Sequence, residues 1–384
     1  MPTAPLYFDY AATTPVDDRV IKAMVACLGR EANFGNPASS SHAFGSQARQ
    51  AVEQARRQVG ELVGASAEAL IWTSGATESN NLALKGVAQA SLGERRHIIT
   101  SRIEHKAIID TARQLELAGY PVTWLEPDSQ GLIQPDAVRQ ALRPDTLLVS
   151  LMLINNELGT TTDIATIGQF VREHGALLHV DAAQATGKLA IDLSELAVDL
   201  MSFSAHKTYG PKGIGALYVG ERARGALHAQ IHGGGHEQGL RSGTLATHQI
   251  VGMGSAFALA SAEMAEEGQR IARLSQRLRD GLLALPGVRL NGSAEQRIPH
   301  TLNLCIERPG FSSTSLAQDL AVSSTSACNS ACNAASHVLL ALGLGEAQAR
   351  SSIRLSLGRY TREQDVEQAI AAISRQVEAA PALW

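Results

Sequence analysis

Side chains suited to covalent chemistry are concentrated where the apolar run Leu200–Ser204 breaks into a Gly- and Pro-rich turn at residues 208–213. Ser204, His206 and Lys207 stand together at this break. In α/β proteins, ligands bind outside the carboxyl ends of strands. A lysine at such an end forms a Schiff base with a carbonyl cofactor when desolvation or a nearby cation lowers its pKa. The alternative for Lys207 is an ordinary surface lysine beside a turn.

A second candidate site is the turn that begins at Ser74, after the apolar run 69–73, and opens a predicted helix through Ala76 and Thr77. Backbone N–H groups at the start of a helix bind anions, and the Thr77 hydroxyl would add a donor. The alternative is a turn that only caps its helix. Ser204 and His206 offer further donors to the same phosphate, which favours the functional interpretation.

Two more polar residues follow predicted strands. Asp181 ends the apolar run that starts at Leu177, and a carboxylate there can keep a pyridine nitrogen protonated, so that the ring acts as an electron sink. The alternative is an aspartate that caps the next turn. His105 follows the run 97–100 and is either a polar loop residue or a ring that packs on a cofactor and moves protons. Asp181 followed by Lys207 is the order found in pyridoxal phosphate enzymes.

A thiol and an arginine complete the set of candidates. Cys328 lies within residues 322–336, which are small and polar, and we expect an exposed, mobile loop whose thiol is available as a nucleophile. Cys27 and Cys305 lie in apolar patterns typical of buried, inert cysteines. Arg354 is a charge inside an apolar strand, so it needs a partner. That partner is either an internal carboxylate or the carboxylate of a substrate.

The composition excludes several classes of protein. The chain has 384 residues, 45% of them hydrophobic and 18% charged, and a formal net charge of −4. It is long enough for two globular domains, and it lacks the basic surface that nucleic acid binding needs. No apolar run reaches the roughly 20 residues of a membrane span. Four cysteines in a chain this long predict a reduced, cytoplasmic protein without a disulfide framework, and no metal site is expected.

Apolar runs alternate with helical patterns through about residue 219, which predicts a mainly parallel, mixed sheet with helices on both faces. A long helix over His248–Leu285 follows, and then come shorter elements, which include Leu316–Leu320, and a final amphipathic helix. We therefore predict an α/β fold with a large domain at 16–258 and a smaller α+β domain formed by 1–15 and 259–384.

The motifs together resemble those of the cysteine desulfurases, which are pyridoxal phosphate enzymes of the class V aminotransferase fold (fold type I). The resemblance is to the branch that supplies iron–sulfur cluster assembly, and it covers nearly the whole chain. It is carried by Asp9–Pro15, Phe34–Pro37, Thr73–Asn80, Glu104–Lys106, Asn155–Glu157, His179–Asp181, Ser204–Lys207, His232–Glu237, Arg241–Thr244, Ser326–Cys328 and Arg354–Arg359.

The resemblance implies a role for each residue. Lys207 would carry the cofactor and move the substrate Cα proton, and Cys328 would attack the sulfur of bound L-cysteine, become a persulfide and leave L-alanine. The other implied roles are Asp181 at the pyridine nitrogen, Gln184 at the ring hydroxyl, His105 stacked on the ring, Ala76, Thr77, Ser204 and His206 at the phosphate, and Asn36, Asn156 and Arg354 at the substrate carboxylate. Thr244 would reach the phosphate of a second subunit, which implies a homodimer.

The sulfur acceptor is implied to be another protein, a cluster scaffold or a sulfur carrier. The chain ends at Trp384, where relatives carry a further tail, and residues 219–228 contain only Arg222 and Arg224 where relatives carry more basic residues. We therefore expect weak binding of a cluster scaffold, or binding by a different surface. Cys332 stands where relatives have serine, and it is either a substitute without a role or a thiol that attacks the Cys328 persulfide. A metal site is a third and less favoured alternative, because two thiols alone do not complete a tetrahedral zinc shell.

Three other functions compete with desulfuration. A selenocysteine lyase or sulfur-eliminating β-lyase would not need Cys328, and a transaminase would use Asp181 and Lys207 but no loop thiol. A non-catalytic partner of a sulfur-transfer complex would retain only the fold. The presence of Lys207, Asp181, His105 and Cys328 together argues against that last possibility.

Overall fold

The computed structural model describes residues 5–91, 93, 95–308, 310–324 and 335–379. Cys328 and Cys332 lie outside these ranges. The helices are α1 Asp18–Val25, α2 Ala43–Val63, α3 Ala76–Ala90, α4 Lys106–Leu117, α5 Pro135–Ala141, α6 Ile164–His174, α7 Glu221–Arg224, α8 Thr247–Leu283, α9 His337–Ala341, α10 Glu346–Arg350 and α11 Glu363–Ala379. The strands are β1 Leu6–Tyr7, β2 Leu70–Thr73, β3 His97–Ser101, β4 Val122–Leu125, β5 Thr146–Met152, β6 Leu177–Asp181, β7 Leu200–Ser204, β8 Gly215–Val219, β9 Val288–Leu290, β10 Thr301–Ile306, β11 Leu320–Ala321, β12 Ser323–Ser324 and β13 Ser352–Ser356.

The main sheet has seven strands in the order β2-β8-β7-β6-β5-β3-β4. Only β8 runs antiparallel to its neighbours, so the predicted mixed, mainly parallel sheet is present. The central strands are apolar and buried throughout, as expected when helices cover both faces. Because β2, β3, β5, β6 and β7 point the same way, their carboxyl ends share one edge.

Helix α2 was not predicted, although it is 21 residues long. Its buried positions recur every three or four residues, but most of them carry alanine, valine or glycine, and one carries Arg56. These positions pack along α8, and the approach is close because a Cβ on Gly254 would lie 2.5 Å from the Cα of Ala55. Small side chains therefore set the distance between these two helices.

Helix α8 contributes to two hydrophobic cores. Its first half, including Met253 and Phe257, packs with the main sheet, whereas its second half, including Leu274 and Leu278, packs with β10, β13 and α11. Phe8 from the start of the chain joins this second core. Residues in the last third of the chain also join the first core, namely Ile298, Val338, Leu339 and Ala349. The boundaries 16–258 and 259–384 remain a proposal for how the chain divides.

The second core is covered by a four-stranded antiparallel sheet in the order β12-β13-β10-β9. Arg354 sits in the middle of β13, between Asn303 of β10 and Ser323 of β12. The element predicted over Leu316–Leu320 is not continuous, since a 3₁₀ turn ends at Leu316 and β11 begins only at Leu320. Within the described residues, no helix has the length and apolar character to cross a membrane.

A buried ion pair fixes the segment between β8 and α8. The guanidinium of Arg56 donates to both carboxylate oxygens of Glu237, at 2.8 and 2.9 Å. The backbone N–H of Trp72 donates to the same carboxylate at 2.7 Å. Glu237 and Gln238 have positive φ angles of 51° and 59°, which non-glycine residues rarely adopt. These contacts hold the strained turn at Glu237 and Gln238 against β2. They therefore also fix the residues that follow this turn, up to Thr244.

Candidate active site

A cavity of about 560 Å³ lies at the carboxyl edge of the main sheet. Side chains from the ends of five parallel strands converge on it, and β12 and β13 of the second sheet close its other side. Its walls therefore combine residues that are far apart in sequence. The predicted residues that line it are Ala76, Thr77, His105, Asn156, Asp181, Gln184, Ser204, His206, Lys207 and Arg354.

The turn between β2 and α3 forms an anion-binding end of the cavity. Gly75 has φ 151°, and a Cβ there would meet no protein atom within 4 Å, so the turn faces open space. Gly215 lies between Ser204 and Thr73 on the neighbouring strands, and a Cβ there would lie 2.6 Å from the Cα of Gly75. Glycine at 215 thus lets the turn approach Ser204. The N–H groups at the start of α3 point into the space that remains.

Asp181 presents its carboxylate to the cavity from the end of β6, in register with Met152 and Ser202 on the adjacent strands. The side chain is 5% exposed. Its two oxygens accept hydrogen bonds from Asn80 Nδ2 at 2.8 Å and from the Ala183 N–H at 3.0 Å. These two donors fix the orientation of the carboxylate in the wall of the cavity.

Ser204, His206 and Lys207 occupy the end of β7 and the 3₁₀ turn that follows it. Ser204 is buried, and His206 Nδ1 lies 3.1 Å from Thr13 Oγ1. Burial lowers the pKa of His206 to about 4, and the positive charge of Lys207 acts in the same direction. In the absence of a bound anion, this histidine is therefore neutral at pH 7.

His105 begins α4 as its N-cap residue, because its Nδ1 accepts a hydrogen bond from the Ala107 N–H at 3.1 Å. This bond leaves Nδ1 without a proton, so a neutral ring carries its proton on Nε2. Burial lowers the pKa of His105, and the charge of Lys207 lowers it further. The ring is thus a neutral, oriented imidazole in the wall of the cavity.

Arg354 reaches the cavity from β13 and has internal partners. Its Nη2 lies 2.8 Å from Asp9 Oδ1, and its Nη1 donates to the Asn156 carbonyl oxygen at 2.7 Å. Its Nε and the Asn156 side-chain Oδ1 are buried without a hydrogen-bond partner in the described part of the chain. Both alternatives for Arg354 are therefore compatible with its place, since it forms an internal ion pair and also faces the cavity.

Two predicted residues that the structure describes do not line the cavity. Asn36 is exposed, and its Oδ1 accepts from the Ala38 N–H at 2.9 Å. Thr244 is exposed on the segment held by the Arg56–Glu237 pair. Cys328 lies outside the described residues. Cys27 and Cys305 are free and buried, as the sequence pattern indicates.

Sequence reasoning assigned no role to several polar residues of the site. Asn80 supports Asp181, and Asp9 pairs with Arg354 across 345 residues of sequence. Among the described residues, no group of three or more His, Cys, Asp or Glu side chains is arranged to hold a metal ion.

Glu104 is a further residue without an assigned role. It is fully buried next to the site. One of its oxygens accepts from Ser101 Oγ at 2.6 Å, and the other has no hydrogen-bond partner in the chain as described. Burial raises the pKa of Glu104 to about 8, and the charge of Asp181 adds to this effect. The carboxyl group is therefore protonated at neutral pH.

This burial predicts a pH dependence of stability. The unfolded chain releases the Glu104 proton near the ordinary pKa of a glutamate, whereas the folded chain keeps it up to about pH 8. The free energy of unfolding should thus fall as pH rises between these values, by about 2 kcal/mol from pH 6 to pH 8. Urea unfolding of the wild type and Glu104→Gln at several pH values measures this, and the wild type should lose stability relative to the variant as pH rises. If the free energies of unfolding of the two proteins changed in parallel with pH, the raised pKa of Glu104 would be contradicted.

The donor set of the cavity fits a phosphorylated pyridine aldehyde. At one end, the N–H groups of the first turn of α3 and the hydroxyl of Ser204 are available to a phosphate. The buried carboxylate of Asp181 faces the space where a ring nitrogen would lie. Lys207 supplies an amine between them, and His105 supplies a flat ring. The open space before Gly75, which a Cβ would enter without contact, is consistent with a group that occupies this end.

Comparisons with known proteins agree with the cofactor that this set of cavity residues fits. A family model described as "Aminotransferase class-V" matches residues 6–369. The chain is 59% identical over 374 residues to the cysteine desulfurase IscS of Azotobacter vinelandii, with 97% of this chain and 93% of that protein covered. It is 56% identical over 385 residues to the cysteine desulfurase IscS of Pseudomonas aeruginosa, with 99% and 95% covered.

Solved structures show the same similarity. A structure described as a NifS-like protein superposes with a TM-score of 0.89 at 36% identity and covers 97% of this chain and 99% of its own. A structure described as SspA in complex with cysteine gives a TM-score of 0.83 at 39% identity, with 93% and 100% covered. The predicted architecture, a mainly parallel mixed sheet flanked by helices, is confirmed by these matches.

Proposed function

Because this chain belongs to the class V aminotransferase family, and within it to the pyridoxal phosphate-dependent cysteine desulfurases, we propose that its cavity converts L-cysteine to L-alanine and passes the sulfur to Cys328. The observation that carries the proposal is the convergence of Lys207, Asp181 and the start of α3 on one cavity that Arg354 closes. Sulfur from such an enzyme supplies iron–sulfur cluster assembly or another thiolation pathway.

The residues that would hold the cofactor act in complementary ways. The N–H groups of Ala76 and Thr77, with Ser204 and His206, would hold the phosphate, and Asp181 would hold the pyridine nitrogen in its protonated form. Gln184 would donate to the ring oxygen, and His105 would cover one face of the ring. When bound, pyridoxal phosphate withdraws electrons from the carbon atoms of the substrate.

The chain itself supplies the groups that move protons and sulfur. The amine of Lys207 takes and returns the proton at the substrate Cα, and Arg354 with Asn156 binds the substrate carboxylate. The resemblance implies the same role for Asn36, although Asn36 does not line the cavity of its own chain. The thiolate of Cys328 attacks the sulfur of L-cysteine. The carbon–sulfur bond breaks, a sulfur–sulfur bond forms on Cys328, and the carbon that loses sulfur takes up a proton to give L-alanine. No external oxidant or reductant is needed for this step.

Partners follow from the same proposal. The exposed Thr244, on a segment fixed by a buried ion pair, would reach the phosphate of a second copy, so the active unit would be a cytoplasmic homodimer. The sulfur acceptor would be a separate protein. Of the two arginines near residues 219–228, Arg222 is engaged by Asp199 at 3.1 Å and by the Ala176 carbonyl oxygen. This engagement supports the expectation that a cluster scaffold binds weakly or by a different surface.

The carboxylate clamp can be tested with Arg354→Ala. The substitution removes a charge-assisted partner of the substrate carboxylate, and we expect KM for L-cysteine to rise by an amount equivalent to roughly 2–5 kcal/mol, with a smaller loss in the free energy of unfolding. Steady-state kinetics and thermal melting of the variant measure the two effects.

Two control variants separate the clamp from the internal ion pair. Asp9→Asn removes the partner of Arg354 but keeps the guanidinium, and it should affect KM less than Arg354→Ala does. Arg289→Ala, on the exposed surface of β9, should change neither quantity. An unchanged KM in Arg354→Ala together with a large loss of thermal stability would show that the residue serves only the ion pair.

The products distinguish the competing reactions. A desulfurase releases alanine from L-cysteine and forms sulfide in the presence of a thiol reductant, whereas a transaminase forms a keto acid. A β-lyase releases sulfide without need of Cys328. Alanine and sulfide in equal amounts are expected from the purified protein, and a keto acid as the main product would overturn the proposal.

A further inference from the structure

A second lysine lies next to the cavity, and no role has yet been assigned to it. Lys188 follows β6 by seven residues, and its Nζ lies 3.0 Å from Oε1 of Gln184, a side chain that is only 4% exposed. Lys188 and Lys207 both border a small internal space of about 10 Å³, enough for one water molecule. The amine of Lys188 therefore lies behind the wall that Lys207 and Gln184 present to the cavity.

The hydrogen bonds of Gln184 depend on Lys188. A lysine ammonium only donates hydrogen bonds, so the group that faces it has to be the oxygen of the Gln184 amide. The amide nitrogen then points the other way, where it donates one N–H to the Ala11 carbonyl oxygen at 2.8 Å. Because an amide nitrogen carries two hydrogens, the second N–H is left for a group in the cavity. Lys188 and the Ala11 carbonyl oxygen thus hold the two ends of the amide in one orientation.

Charged residues from three parts of the chain act on Lys188. The positive charges of Lys207, after β7, and Arg354, in β13, disfavour a further positive charge there, whereas Glu267 of α8 favours it. Burial is the largest effect, and with these charges it lowers the pKa of Lys188 to about 7, so the amine is charged below about pH 7 and neutral above it. Burial is also the main cause that lowers the pKa of His300 and that of His206, and the charge of Lys188 adds to it. Lys188 thus acts electrostatically on His206, which lines the main cavity, and on His300, which borders the small space.

We propose that Lys188 is a positioning residue for the proposed reaction, because, together with the Ala11 carbonyl oxygen, it fixes the Gln184 amide with its N–H toward the cofactor ring. The inference rests on the proposed function and adds a residue to its machinery. A purely structural lysine would contribute to stability alone. A positioning lysine changes the spectrum of the bound cofactor as well.

The test is a pH titration of the visible absorbance of the cofactor-loaded enzyme, in the wild type and in Lys188→Met. Methionine keeps the apolar stem but removes the charge and the donor. The visible band reports whether the nitrogen that Lys207 contributes is protonated. Loss of a donor to the ring oxygen favours the protonated form, and so does loss of the positive charge that Lys188 carries below about pH 7. The midpoint should therefore rise by about one pH unit, and the dissociation constant of the cofactor should increase about fivefold.

Controls separate this effect from a general change of charge. Lys212→Met removes an exposed lysine that borders the main cavity without contacting Gln184, and it should shift the midpoint less than Lys188→Met does. In a Gln184→Met background, the effect of Lys188→Met should be smaller, since part of it acts through the amide. If Lys188→Met does not fold, Lys188→Gln, which removes the charge and is too short to reach the same position, should give the same shift.

The outcomes distinguish the inference from the function on which it rests. A wild-type enzyme that lacks the visible band or forms no alanine would contradict the proposed function. A normal wild type with an unchanged midpoint in Lys188→Met would overturn the positioning role alone. An equal shift of the midpoint in Lys212→Met would also overturn the positioning role. So would a double variant in which the midpoint shifts of Lys188→Met and Gln184→Met simply add.

Discussion

Replacement of Cys328 with serine is expected to reduce alanine formation from L-cysteine at least about 10³-fold, while the cofactor stays bound. A thiol is partly ionised at neutral pH and attacks sulfur readily, whereas a serine hydroxyl remains protonated and cannot form a persulfide. The loss is measured as the rate of alanine release in excess reductant. The visible absorbance of the same sample shows that the cofactor remains in place.

Other cysteines provide matched controls for this substitution. Cys305 is fully buried, and its Sγ contacts the Gln348 carbonyl oxygen at 3.6 Å, so Cys305→Ser tests whether any loss of thiol lowers the rate. Cys332→Ser tests the neighbouring cysteine, and we expect it to keep most of the activity in excess reductant. Full activity in Cys328→Ser would reject the desulfurase mechanism and favour a β-lyase.

Lys207→Ala is the second substitution with a large expected effect. It removes the amine that holds the cofactor and moves the Cα proton, and we expect activity to fall about 10³-fold or more. The absorbance of the bound cofactor near the visible edge should disappear. Spectra before and after gel filtration measure both the loss of the band and the retention of the cofactor.

A chemical trap identifies the amine directly. Borohydride reduction of the wild type, followed by digestion and mass spectrometry, should place the cofactor on the peptide that contains Lys207. Lys212→Ala serves as a control because Lys212 borders the same cavity but is exposed. Recovery of the reduced cofactor on Lys188, the other lysine behind the site, would show that the assignment is wrong.

The residues of the site that directly follow the parallel strands could be predicted from the sequence, because the local apolar pattern marks the ends of these strands. The ends of β2, β6 and β7 could be read from short apolar runs that stop at Thr73, Asp181 and Ser204, because the carboxyl ends of parallel strands meet at one edge. The residues that follow these strands were therefore expected to lie together, and the cavity contains them. Helix α2 was missed, since its buried positions carry alanine, valine, glycine and one arginine, which give little apolar signal.

Interactions between distant residues were not predictable from the sequence. The partner of Arg354 is Asp9, 345 residues away, and only folding shows that this arginine is both paired internally and open to the cavity. Glu104 and Lys188 looked like ordinary charged residues, because nothing in their local sequence reveals that tertiary packing buries the carboxyl group or directs the amine inward. The exposed positions of Asn36 and Thr244 likewise depend on how the chain, or a second copy of it, is arranged.

The most direct test of the desulfurase account is mass spectrometry of the peptide that contains Cys328 and Cys332, after one turnover of L-cysteine without reductant. We predict one additional sulfur atom on Cys328, together with one molecule of alanine for each active site. A disulfide between Cys328 and Cys332 as the main product would assign a role to Cys332 in releasing the sulfur. An unmodified peptide after stoichiometric release of sulfide would contradict the transfer of sulfur to Cys328.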